Sequence, residues 1–261
     1  MVVEKKRAEE LLDELGILEP EDIDVEGIAA YCSAFVVYEP LSGAEARIVG
    51  NREKAFITVN SRSLRSRQRF SIGHELGHWM WHRGRMALAC SSEVQDRKWS
   101  GADKEVMANK FAADLLMPKQ MFRAQAQHKA ATLQTVSELA DQFQTSLTAT
   151  AIRLVEFGSF PCMVVFHSAS GREWFFGSRE VDGKFWPHRT LDEYSFAYDL
   201  MKGKGRSPAG GTVEADTWIN HPRASHYEVY ENSTVIGPDH VLTLLWWKSE
   251  KMIEDLIGDD Y

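Results

Sequence analysis

Two histidines set four positions apart, His74 and His78, limit the fold around them more than any other feature of the chain. For both to act on one object they need a helix, because there residues i and i+4 stand one above the other on the same face. The neighbours agree. Ile72, Leu76 and Trp79 are apolar at helical spacing, and Gly73 and Gly77 let another element come close. The expectation is a helix over residues 70–82, entered through Arg62, Arg65, Arg67 and Arg69.

The run His74-Glu75-Leu76-Gly77-His78 has H-E-x-x-H spacing. Two neutral imidazoles one turn apart converge on a zinc ion, which they bind at ~2.0–2.1 Å. Glu75 is turned away from the ion and reaches a bound water instead. Zinc lowers the pKa of that water to about 7, and the carboxylate takes its proton and later passes it to a leaving amine. A catalytic zinc normally has three protein ligands and one open position. Glu105 is the favoured third ligand, because it starts a helix expected over residues 104–117, where a carboxylate suits the positive end. Asn109, four residues on, then orients a ligating histidine. His82, Glu93 and Asp103 are weaker alternatives. A metzincin needs glycine at Trp81 and histidine at Gly84, so that class is excluded. Manganese also suits two imidazoles and a carboxylate.

These two blocks, Arg67-Gln-Arg-Phe-Ser-Ile-Gly-His-Glu-Leu-Gly-His78 and Glu105-Val-Met-Ala-Asn-Lys-Phe-Ala-Ala-Asp-Leu-Leu-Met-Pro118, resemble the signature blocks of the ImmA/IrrE metallopeptidases, in the same order. A position often Ala in that family is Gly73 here. The resemblance is strong over residues 50–120. It implies a gluzincin-like centre, with His74, His78 and Glu105 holding zinc and Glu75 as catalyst. It also implies a helix-turn-helix transcriptional repressor as substrate, whose cleavage releases stress-response or mobile-element genes.

The rest of the chain suggests an α+β protein in three parts. Residues 1–125 form a zincin-like metallopeptidase domain, residues 126–160 a helical segment resembling a helix-turn-helix, and residues 161–261 a β-rich, aromatic domain. By position, the last resembles the GAF-type sensor of longer family members. Helices are expected over residues 4–15, closed by Gly16, and within 23–37, around Ile28-Ala-Ala-Tyr31 and running into a strand at 34–38. Residues 43–50 read as a turn. Residues 54–60 read as a strand whose free edge takes an extended substrate through main-chain hydrogen bonds. C-terminal strands are expected at 162–166, 173–176, 226–230 and 240–247, with Trp174, Trp186, Trp218, Trp246 and Trp247 in a core.

The net charge of −8 argues against a global field for phosphate backbones. The second helix of the helix-turn-helix offers only Arg153 as a base-edge donor, so direct DNA binding is disfavoured and packing or repressor docking preferred. The arginine run before His74 reads as a solvated face. Cys32, Cys90 and Cys162 draw no disulfide framework, and Cys90 is expected to be a buried thiol. With no signal peptide or apolar span, the expected compartment is the cytoplasm and no membrane is involved. The rival to a peptidase is a regulator that binds DNA or a repressor without cutting it.

Overall fold

The computed structural model describes residues 5–51, 53–82, 101–181 and 183–257. The chain is α+β and divides into two compact units. One comprises Met1–Phe122 with Ala140–Ser146, the other Arg123–Leu139 with Leu147–Tyr261.

The first unit opens with helix α1 (Ala8–Leu15), whose Glu10 carboxylate accepts the backbone N–H of Arg7 at 2.9 Å. Gly16 ends it with a φ of 67°, a left-handed conformation that glycine adopts without penalty. Helix α2 (Val25–Tyr31) leads into strand β1 (Ala34–Glu39), followed by β2 (Ala46–Gly50) and β3 (Ala55–Asn60). The sheet order is β1-β3-β2, with β1 parallel and β2 antiparallel to β3.

This corrects two expectations. The second half of the 43–50 stretch is not a turn but strand β2. Its Ala46 and Ile48 are buried while Arg47 and Val49 face out, a period-2 pattern hidden by its short length. Strand β3 is also not an edge: both its sides are paired, and the free edges belong to β1 and β2.

Helix α3 (Arg65–His82) covers one face of this sheet, burying Ile72, Leu76 and Trp79 in the same core as Ala34, Ile48, Ile57 and Val59. The Trp79 indole N–H donates to the Cys32 carbonyl at 2.8 Å. Helix α4 (Gly101–Leu116) packs along α3 and ends just before Pro118. Val106 is 64% exposed. The buried stripe runs instead through Ala108, Phe111, Ala112 and Leu115. Helix α5 (Lys119–Ala126) follows.

Helices α6 (Leu133–Phe143) and α7 (Leu147–Phe157) are joined by a tight turn in which Gln144 has a φ of 53°. Helix α7 packs on strands β4 (Cys162–Ser168) and β5 (Gly171–Gly177). Helix α8 (Phe196–Met201) and strands β6 (Ala209–Glu214), β7 (Glu228–Val235) and β8 (His240–Trp246) follow, with helix α9 (Lys251–Ile257) last. The second sheet is antiparallel, in the order β5-β4-β8-β7-β6. Trp218 and Trp247 are in its core, but Trp186, expected there, is 56% exposed. Fully buried Glu231 ties α8 to β7 by accepting the Phe196 and Ala197 N–H groups, and also accepts from Trp218 Nε1 and Ser233 Oγ. Among the described residues no helix is long and apolar enough to cross a membrane.

Candidate metal centre

Small residues bring α3 and α4 together. A Cβ added at Gly73 would lie 3.2 Å from the Cα of Ala112, and one at Gly77 would lie 3.1 Å from the Cα of Ala108. Glycines four apart on one helix therefore meet alanines four apart on the other. The seam leaves no room for a larger side chain, so the relative height of the two helices is fixed. The alanine half of this seam escaped the sequence reading, although the spacing of Ala108 and Ala112 was its signal.

That contact sets the donor atoms of three residues together. His74 Nε2 and His78 Nε2 are 3.1 Å apart, and the Glu105 carboxylate faces both, with Oε2 3.2 Å from His74 Nε2 and Oε1 3.2 Å from His78 Nε2. Donors bound tetrahedrally at ~2.0–2.1 Å stand about 3.3 Å apart, so each of these spacings is of the size a zinc ion requires. The chemistry fits as well. His74 Nδ1 is 2.9 Å from Asn109 Oδ1, which can only accept, so Nδ1 carries the proton and Nε2 presents a lone pair. That lone pair faces a carboxylate oxygen, an arrangement that a cation bound between them satisfies. His78 is buried, whereas the Glu105 side chain is 53% exposed, so the centre opens on the Glu105 side.

Glu75 is 3% exposed, one residue along α3 from His74. Burial, and secondarily the negative charge of Glu105, pushes its carboxyl up to about 7. A cation held by His74, His78 and Glu105 acts in the opposite direction.

The described structure thus brings together His74, His78, Glu105 and Asn109, with Glu75 beside them. Glu93 and Cys90 lie outside the described residues, as do the side chains of His82 and Asp103. Among the described residues, His167, His188, His221, His226 and His240 join no comparable group. Cys32 and Cys162 are buried and in no disulfide, and burial pushes Cys162 up to about 12.

The arginines before His74 are not a plain solvated face. Arg65 donates to Glu26 and to Tyr38, both at 2.8 Å, and Arg69 is 3% exposed and donates to the Ile23 carbonyl at 3.1 Å. Arg153, the base-edge candidate of α7, is 4% exposed, pairs with Glu156 at 2.8 Å and lies over the Phe157 ring.

A helix bearing H-E-x-x-H, joined by a carboxylate from the next helix, forms a group that could hold a metal ion. The family comparison is more particular: residues 30–155 match the family model of the IrrE N-terminal-like domain, Peptidase_M78, and carry that domain. This match suggests a metallopeptidase with a regulatory role. Among solved structures the chain is similar to a Mycobacterium tuberculosis transcriptional regulator, at 13% identity and a TM-score of 0.58. The similarity covers 94% of this chain and 88% of that one, and it concerns the fold. No curated protein matches the chain.

Proposed function

We propose that the protein is a zinc-dependent endopeptidase that cleaves a helix-turn-helix transcriptional repressor in the cytoplasm, relieving repression of stress-response or mobile-element genes. The observation that carries the reading is the convergence of His74, His78 and the two oxygens of Glu105 at 3.1–3.2 Å, with a buried carboxyl one residue away. His74, His78 and Glu105 hold the ion, and Asn109 keeps His74 in the tautomer that can bind it. The same donor set takes manganese where that ion is the more available. When bound, the ion supplies Lewis acidity, which acidifies water and polarises a peptide carbonyl.

Glu75 does the proton work. It accepts a proton from the attacking water and returns it to the leaving amine. A peptide adding to the free edge of β2, the strand antiparallel to β3, needs only main-chain hydrogen bonds to lie extended. The residues of the second unit, placed where longer family members carry a GAF-type sensor, then govern when the enzyme acts.

The neighbour described as a transcriptional regulator supports a second reading, in which the chain binds DNA or a repressor without cutting. Burial of Arg153 speaks against base reading by α7. Glu75→Gln separates the two, because an amide cannot take up the proton. The expected result is full zinc content, an unchanged circular dichroism spectrum and at least a thousandfold slower cleavage of the repressor encoded nearest to the protein. Survival of the transcriptional response in cells carrying this variant would reject proteolysis as the mechanism.

A further inference from the structure

Four arginines lead to the metal helix, and the structure separates them. Arg65 and Arg69 hold α3 to the rest of its unit, through Glu26, Tyr38 and the Ile23 carbonyl. Arg67 is placed differently. It stands two helical turns before His74, on the stripe that carries His74 and His78. Its side chain is 56% exposed. Its guanidinium lies over the Phe70 ring at 5.9 Å, and that ring stands 6.3 Å from the imidazole of His74.

Its ionic neighbour is Glu45, 3.9 Å from Nε, at the edge of ion-pair range. Glu45 is itself engaged by the Ser63 hydroxyl, which donates to it at 2.5 Å. The guanidinium fork of Arg67 makes no hydrogen bond among the described residues. It is a planar double donor, steadied by an aromatic face and in line with the metal ligands.

We propose that Arg67, oriented by Phe70, is a substrate-binding residue that receives an Asp or Glu side chain of the cleaved protein. Two helical turns separate it from His74 by about 10 Å, and an extended peptide advances ~3.3 Å per residue. The acidic residue therefore lies roughly three to four positions from the scissile bond. A guanidinium pairs with a carboxylate through two parallel hydrogen bonds, and the Phe70 face limits the freedom lost in forming them. A polyanion such as nucleic acid fits less well, because Glu45 stands beside Arg67 and Glu105 beside His74. One carboxylate at a fixed distance avoids them.

The inference rests on the peptidase reading, and its test keeps the two apart. The zinc-loaded full chain is incubated with a library of cytosolic peptides, and cut sites are identified by mass spectrometry for wild type, Arg67→Gln and Arg67→Glu. Wild type is expected to enrich Asp and Glu at one position three or four residues from the cut. Arg67→Gln loses that enrichment, and Arg67→Glu shifts it to Lys and Arg, all three with equal zinc content. In a binding measurement, Glu75→Gln protein is titrated with two peptides from the cleaved set that differ only by Glu or Gln at that position. The Glu peptide is expected to bind at least tenfold more tightly, and Glu75→Gln/Arg67→Gln to lose the difference. Cleavage without acidic preference, or a preference that survives Arg67→Glu, overturns the role of Arg67 and leaves the peptidase reading standing. If zinc-loaded wild type cuts no peptide, the peptidase reading itself fails, and the role of Arg67 with it.

Discussion

Asn109 shows how much one side chain adds to the proposed ligand set. Its Oδ1 takes the proton-bearing nitrogen of His74 at 2.9 Å, so the other nitrogen has no choice but to face Glu105 and His78. Partners of this kind typically contribute 10–100-fold in metal affinity. Asn109→Leu is expected to weaken zinc binding by about that factor in a titration against a fluorescent chelator, with the fold retained. An unchanged affinity would mean that His74 holds its tautomer by other means. A second residue governs acid stability. His167 is 1% exposed, neither ring nitrogen has a hydrogen-bond partner of ordinary geometry, and Trp218 meets its ring edge-on. Burial pulls its pKa from 6.5 to about 4, although the nearby His188 backbone works weakly in the other direction. The folded state therefore prefers the neutral ring. The resulting stability is fully present above pH 6.5 and is lost as pH falls through about 4. At 1.36 kcal/mol per pKa unit the loss is at most about 3 kcal/mol, and His167→Leu should flatten the denaturation free energy over that window. A variant as acid-sensitive as wild type would clear His167 of the effect. At this scale the histidine pair was legible because helical spacing alone puts i and i+4 together. The roles of Arg65, Arg69 and Arg153 were not, because solvent or burial around an arginine depends on packing that sequence spacing does not reveal.

Among the elements, the α3–α4 seam does most to define the centre, and its tolerance can be stated. Alanine in place of Gly77 gains up to about 1 kcal/mol of helix propensity. Its Cβ, however, would sit 3.1 Å from both the Cα of Ala108 and the Cβ of Phe111, neither of which is the movable end of a flexible side chain. Overpacking of this kind costs about 1–3 kcal/mol, so Gly77→Ala should range from neutral to about 2 kcal/mol destabilised, and Gly77→Val should lose more. Both displace α4, and with it Glu105, from two histidines that stay on α3. The expected signature is a fall in zinc affinity larger than the fall in Tm. Equal affinity in Gly77→Ala and wild type would show that the helices can part without disturbing the donors. Helices α3 and α4 were visible in the sequence because their apolar residues repeat at helical spacing, and β8 because its buried residues form an unbroken run. Strands β2 and β6 were not. The first is short and ends at Gly50, and the second begins Ala209-Gly-Gly211, which reads as a turn. Gly211 is nevertheless required inside a strand, since a Cβ there would meet the Phe196 ring at 2.8 Å.

At the scale of the whole chain, the α+β class followed from composition and element types, whereas the strand order of each sheet did not. Order depends on which strands find partners across long loops, and the sequence carries no local mark of that. The same scale carries a prediction about energy. His74, His78 and Glu105 all belong to the first unit, whose buried core runs from Ala8 to Leu116, while the second core begins at Met163. A ligand stabilises what it binds by RT ln(1 + [L]/Kd), about 2.7 kcal/mol when zinc is at a hundred times its Kd. If each unit opens on its own core, that energy is confined to the first. Hydrogen exchange of amides in β3, α3 and α4 that open only with the unit should then slow by roughly a hundredfold on zinc addition. Amides in β4, β7 and β8 should keep their metal-free rates. Chelation should reverse the first effect and leave the second untouched, because nothing in the second unit supplies a described ligand. Equal slowing in both sheets would show that the two cores open together, and that metal bound on α3 and α4 is felt by residues that never touch it.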